Sequence, residues 1–276
     1  MPIARRAWLG LEAVHAVVYF APEALDAFTA LGLKGFWMGY FASRAAPLGP
    51  VPVPVVEATF FGFSPNMVRR ALPDAWSMAT PADVLAARRT AAGAALRRLL
   101  GNVDVTDAAA LARAAVDHAD VGGRPLYAAH RALPWPGTPL LDLWHAATLL
   151  REHRGDGHVA ALVAEGFDGL EAHVLQAVAG GVPRETLQPN RGWTDHEWSA
   201  AEKRLRVRGV LDDRGRAAKA AVEERTDAAA ARPYAAIDAE LLCELIEPLR
   251  TAILTGGGVP IPNPMGMPGD RATARK

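Results

Sequence analysis

Apolar residues recur at three- and four-residue spacing through most of the chain, and that spacing predicts helices. Trp8, Leu9, Leu11, Val14, His15 and Val18 form one stripe near the N-terminus. Ala21-Pro22-Glu23 ends this helix and begins another, with proline in its first turn. Gly32 and Gly35 mark the next boundary, and Phe36, Trp37, Tyr40 and Phe41 follow on a third helix whose aromatic density reads as core. Further on, LEAHVLQAV reads as a helix and leads through VPRETLQ into GWTDHEWSAAEKRLRVRGVL. There Thr194 is placed to cap a helix, with Glu197 three residues later as in a capping box. Trp198, Ala201 and Leu205 supply the apolar face, and Gly209 stops the helix. GVLDDRGRAA reads as a strand, a turn and a return strand, and KAAVEERTDAAA as a further helix. Three helices, a hairpin and a helix is the order of a winged helix-turn-helix.

The pattern occurs twice. LEAVHA (Leu11–Ala16) is echoed by LDLWHA (Leu141–Ala146), which sets His15 against His145 at a spacing of 130. GLKGF from Gly32 matches GFDGL from Gly166, and GFSPNMVRRAL from Gly62 matches GWTDHEWSAAEKRL from Gly192. Two later pairs, ARRTAAG with EERTDAA and DAAALARA with DAELLCEL, keep the same order. A boundary in the Pro/Gly stretch Leu133–Pro139 divides the chain into residues 1–136, a degenerate winged-helix-like unit, and 137–276, a fuller one with a proline-rich tail. The expected fold is mainly α, with two tandem units in pseudo-two-fold arrangement and small β-hairpin wings.

The run from Trp193 to Asp227 resembles the winged-helix core of MarR-type proteins. Through HAVVYFAPEA, LKGFWMGYFASRAAPLGPV, FFGFSPNMVRRALPDAW and LWHAATLLREHRGDGHVAAL, most of the chain resembles an actinobacterial family of helix-turn-helix proteins. The resemblance implies a fold more than a function, because function lives in a site.

Charge argues against a DNA reader. The chain has no net charge, with 13 Lys/Arg against 10 Asp/Glu in residues 1–136 and the opposite excess in the rest. The turn that would face bases carries Asp195, His196 and Glu197, and two acids near phosphates repel them. Half the residues are hydrophobic and 22% are charged, which excludes wholesale disorder. Charge or proline breaks each apolar run short of the roughly 18 residues a membrane helix needs. MPIARRAWLGLEAVH, interrupted by Glu12, reads as an amphipathic helix more than a leader, so a cytoplasmic protein is expected. The single cysteine, Cys243, sits on a leucine-rich helix and reads as core. No GxGxxG, GxxxxGK, GxSxG or CxxC motif is present.

Candidate chemistry gathers in LREHRGDGHVAAL (Leu150–Leu162), where six ionisable groups occupy eight residues. His15 to Gly32 is 17 residues but His145 to Gly166 is 21, so the second unit holds four extra residues here. His145, Leu149 and Glu152 fall on one helical face. Gly155 and Gly157 are expected to break the helix, and a loop through them would bring His153, Asp156 and His158 together. Three readings stay open. Arg151 and Arg154, with free N–H groups after Gly157, suit an anion; His145, Glu152 or His153 would then transfer protons. His153 and His158 suit a divalent metal or haem, although their spacing matches no established zinc pattern. Ion pairs tying the two units together are the third. His15, Tyr19, Trp37, Tyr40 and Arg44 would line a matching cavity in the first unit. The expected partner is a small-molecule ligand, with duplex DNA disfavoured and no membrane. The protein is a monomeric pseudo-dimer or a homodimer on this reading.

Overall fold

The computed structural model describes residues 1–269. The helices in chain order are α1 (Ile3–Phe20), α2 (Pro22–Ala30), α3 (Gly35–Ala45), α4 (Val53–Thr59), α5 (Pro65–Ala71), α6 (Ala75–Met78), α7 (Pro81–Leu100) and α8 (Thr106–Asp117). They continue with α9 (Pro125–Arg131), α10 (Pro139–Ala164), α11 (Gly169–Val178), α12 (Arg184–Arg191), α13 (Asp195–Val207), α14 (Asp213–Ala229) and α15 (Ala239–Thr255). The fold is mainly α, and none of these helices is long and apolar enough to cross a membrane.

Local signals set many of the ends. Thr194 and Glu197 form the capping box at the start of α13, and Asp168 with Glu171 does the same for α11. Pro22 opens α2, and Gly209 closes α13 with φ 66°. The hairpin wing is absent: no strand occurs among the described residues. Val210 returns its N–H to the carbonyl of Leu205, finishing α13. Asp212 then caps α14 through the N–H of Arg214. The DDRG stretch therefore starts a helix where a hairpin turn was expected, and too few residues remain for two strands.

Nor do the two glycines break α10. It runs unbroken through Gly155 and Gly157 for 26 residues. A β-carbon at Gly157 would lie 2.7 Å from the Arg124 guanidinium and 3.4 Å from Ala229. This glycine provides room for neighbours, and their packing offsets the roughly 1 kcal/mol that a helical glycine costs. In the first half the chain breaks at Ala21-Pro22, between α1 and α2.

Three apolar cores form among the described residues. The central one joins α1, α8, α15, the first half of α10 and the end of α7. There α1 is buried almost all round, Glu12 and His15 included, so it is no simple amphipathic surface helix. Partly buried Cys243 packs at its edge, with burial raising its thiol pKa against the opposing pull of Arg6. A second core gathers α2, α3, α5 and the start of α7 around Phe41, Phe60 and Phe63. The third gathers α11, α12, α13, α14 and the end of α10 around fully buried Trp198. Between the second and third lies a cavity.

Candidate functional site

The cavity measures about 410 Å³ and is walled by α1, α3, residues 59–63, the charged stretch of α10, α11, α12, α14 and Pro264–Gly266. That volume is in the range of small-molecule sites. Its lining interleaves aromatic and cationic side chains: Trp8, Phe60, Phe61 and Phe63 with Arg44, Arg151, Arg154 and Arg191. The Arg44 guanidinium lies over Phe60, 4.6 Å from the ring centre.

Glu152 ties two of these arginines together. It is fully buried and takes a fork from Arg44, Nε to Oε1 at 3.0 Å and Nη2 to Oε2 at 2.9 Å. Arg151 adds Nη1 to Oε2 at 2.7 Å. Burial alone would raise the pKa of Glu152, but Arg151 and Arg44 outweigh it and hold the carboxyl well below the usual range. Glu12 differs: burial raises its pKa against the opposing Arg151, 3.6 Å away, and the indole N–H of Trp8. Arg154 reaches Asp227 at 2.7 Å and stacks over Trp8, with its guanidinium carbon 5.1 Å from the ring centre. Asp227 also takes Arg5 at 2.8 Å.

Arg191 stands apart. Its Nη2 donates to the Pro264 carbonyl at 2.9 Å, and its guanidinium lies over Phe63, 4.6 Å from the ring centre. No carboxylate among the described residues pairs with it, and burial pulls its pKa down to about 10. Arg191 lines the cavity, and its other guanidinium N–H groups have no partner among the described residues. Nothing in the sequence around it, LQPNRGW, marks this residue out.

The predicted residues divide by position. Tyr40 lines the cavity, with its hydroxyl 3.4 Å from Nη1 of Arg44. Trp37 lies behind it, edge-on to Phe63 at 5.9 Å. Tyr19 and His15 are buried further in, with the two tyrosine rings 4.8 Å apart. Thr148 donates its hydroxyl to the Trp144 carbonyl, so Nδ1 of His15 donates to Thr148 at 3.0 Å and Nε2 accepts from Tyr19 at 3.0 Å. Burial lowers the His15 pKa well below its ordinary value, consistent with this neutral ring.

Asp156 and His158 are on the cavity wall, but His145 and His153 are not. His145 lies edge-on to Trp135 at 5.0 Å and His153 edge-on to Tyr127 at 5.1 Å, each with an unpartnered Nε2. Burial takes each to about 4. The trio His145, Glu152, His153 therefore does not converge. An unbroken helix also sets His153 and His158 on different faces. Among the described residues no group of three or more His, Cys, Asp or Glu is arranged to hold a metal ion.

Asp156 gives a pH test. It accepts the N–H of Tyr127 at 2.9 Å, and burial pushes its pKa up to about 6 from an ordinary 3.8. The folded state then binds the proton more tightly than the unfolded state, so stability is lost as pH rises through that window. The gap corresponds to about 3 kcal/mol. Asp156→Asn keeps an acceptor for Tyr127. It is expected to match the parent below pH 4 and to exceed it by about 3 kcal/mol at pH 7.5. Urea unfolding across that pH range checks this, and parallel curves would refute it.

The turn between α12 and α13 abuts the cavity. Gly192 has φ 74°, Trp193 donates its indole N–H to the Gly62 carbonyl at 3.0 Å, and Ser64 donates its N–H to the Arg191 carbonyl at 2.8 Å. Beyond the turn, Arg184 and Gln188 hold Asp195, and Thr194 is boxed with Glu197. Arg204 is tied to Asp168 and Glu171, and Arg208 to Glu171. A family profile described as a helix-turn-helix family matches residues 4–260. No curated protein and no solved structure matches the chain.

Proposed function

The chain belongs to the helix-turn-helix family, and on that premise we propose that it is a pair of winged-helix-like units, reduced to helices, that captures a small organic anion. The observation that carries this reading is Arg191, a guanidinium fork with no carboxylate partner among the described residues, on the lining of a 410 Å³ cavity that is also lined by Trp8, Phe60, Phe61 and Phe63. Arg44, Arg151 and Arg154 already have carboxylate partners, which leaves Arg191, with Lys219 also on the lining, to take the anion; of the two only Arg191 offers a planar fork.

Packing supports the two-unit reading. In the first half α3 packs on α5 and α7; in the second α11 packs on α13 and α14. Between halves, α1 packs on α15 and α10 on α8. Such an exchange lets one chain take the place of a dimer, and only the second half carries the charged stretch on α10.

A ligand-responsive DNA-binding regulator is the second reading. Family membership favours it, as do Lys203 and Arg206, which are exposed on α13 and make no ion pair among the described residues. Against it stand Asp195 and Glu197 at the start of the same helix.

Tryptophan fluorescence, with Trp8 on the cavity wall, discriminates the readings. Titration with phenylacetate, phenyl phosphate and acetate is expected to give saturable binding of an aromatic anion. Arg191→Met should weaken it roughly tenfold to a hundredfold, the value of a hydrogen bond to a charged group. Tight, salt-sensitive duplex binding with no response to any of these anions would defeat the proposal.

A further inference from the structure

Resting on the anion-binding reading, we infer that the cavity's ligand carries a hydroxyl group as well as its anionic group, and that His158 is the residue that selects it. The argument starts from the hydroxyl of Thr226. It donates to the Val222 carbonyl at 2.7 Å, so its only hydrogen is engaged. Nδ1 of His158 lies 2.9 Å from the same oxygen. With no proton coming from Thr226, Nδ1 must be the donor.

That bond fixes the ring. Burial lowers the pKa of His158 below its ordinary value, with Glu223 opposing it and Arg154, Lys219 and Arg5 adding to it. The imidazole is therefore neutral, with its proton on Nδ1 and a lone pair on Nε2. His158 is part of the cavity wall, and Nε2 has no partner among the described residues. Unlike Nε2 of His145 and His153, it is not sealed in the core.

Among the unmatched groups on the lining, which include Lys219 and Gln176, are two of opposite kind, a donor fork on α12 and a neutral acceptor on α10. A plain carboxylate satisfies the first and leaves the second facing an apolar portion of the ligand. A molecule with an additional O–H satisfies both. Sites built to bond a hydroxyl reject analogues lacking it strongly, because their own polar group is left unpaired.

Phenylacetate and its 2-, 3- and 4-hydroxy derivatives form the test, measured by calorimetry on the full chain. At least one hydroxylated isomer is expected to bind ten times or more tighter than phenylacetate. His158→Phe, which keeps a ring and removes the acceptor, should abolish the advantage, so that the hydroxylated isomers bind no tighter than phenylacetate to the same variant. His158→Gln, whose amide oxygen can still accept, should retain part of it, and Thr226→Val, which unlocks the tautomer, should reduce it. Circular dichroism and thermal melts establish that each variant is folded. If phenylacetate binds and no hydroxylated isomer gains on it, the hydroxyl inference falls while anion binding stands. If none of the four binds at 10 mM, both fall together.

Discussion

Glu152→Ala is expected to lose about 3–5 kcal/mol of stability, the range for removing one partner from a buried ion pair. The carboxylate has no solvent exposure and is the one carboxylate paired with Arg44 among the described residues, and Arg44 is itself buried. Without it, the Arg44 and Arg151 guanidiniums stay desolvated beside one another, with Glu12, 3.6 Å from Arg151, as the remaining carboxylate partner among the described residues. Glu152→Gln should fall between, since the amide keeps an acceptor but not the charge. A companion variant separates charge from shape. Replacing Glu152, Arg44 and Arg151 together by Leu, Met and Met removes all three desolvated charges, and should be less destabilised than Glu152→Ala alone. Chemical denaturation of the three proteins decides the matter; equal losses would mean that packing volume, rather than unbalanced charge, sets the penalty.

Gly169→Ala is the second severe change. Gly169 is the first residue of α11, pressed against the chain leading into α5. A β-carbon there would lie 1.8 Å from the Phe61 carbonyl oxygen and 3.1 Å from the α-carbon of Gly62. Backbone cannot rotate away as a side-chain tip can, so one of the two segments must shift. Overpacking of this kind costs about 3 kcal/mol or slightly more. Phe61 and Gly62 line the cavity, and Gly62 receives the indole of Trp193. Anion affinity should therefore fall along with stability. Gly122→Ala, where the added carbon meets nothing within 4 Å, serves as the control and should stay within about 0.5 kcal/mol of the parent. Melting both variants, and titrating them with phenylacetate, gives the comparison; a Gly169→Ala protein as stable as the control would overturn the steric argument.

Short-range signals translated well into structure. Thr194 and Glu197 formed their capping box, Pro22 opened its helix, and Phe41 went to the core, because each depends on neighbours within a turn or on simple burial. Signals that needed a partner from elsewhere were misread. Gly157 looked like a helix breaker, yet its role is set by Arg124 and Ala229, which are remote in sequence. Val210 and Leu211 looked like a strand, but the Asp212 cap left no room for one. For the candidate site, the charged stretch on α10 was visible as a cluster. Its division was not: Glu152, Asp156 and His158 face the cavity or the arginines that line it, while His153 faces Tyr127. Arg191 was invisible for a plainer reason. A lone arginine in a sequence carries no mark of whether an acid will meet it in space.

The continuity of α10 has a mechanical side. Twenty-six residues of helix extend about 39 Å. The same rod is packed into the central core at one end and into the third core at the other. It acts as an axle: it cannot flex at the charged stretch without breaking its own hydrogen bonds. Any swivel that follows occupation of the cavity has to be taken up at non-helical corners, such as residues 132–138, the Gly166 turn or the Gly192 turn. Of these corners, Gly192 directly follows the arginine that would hold the anion.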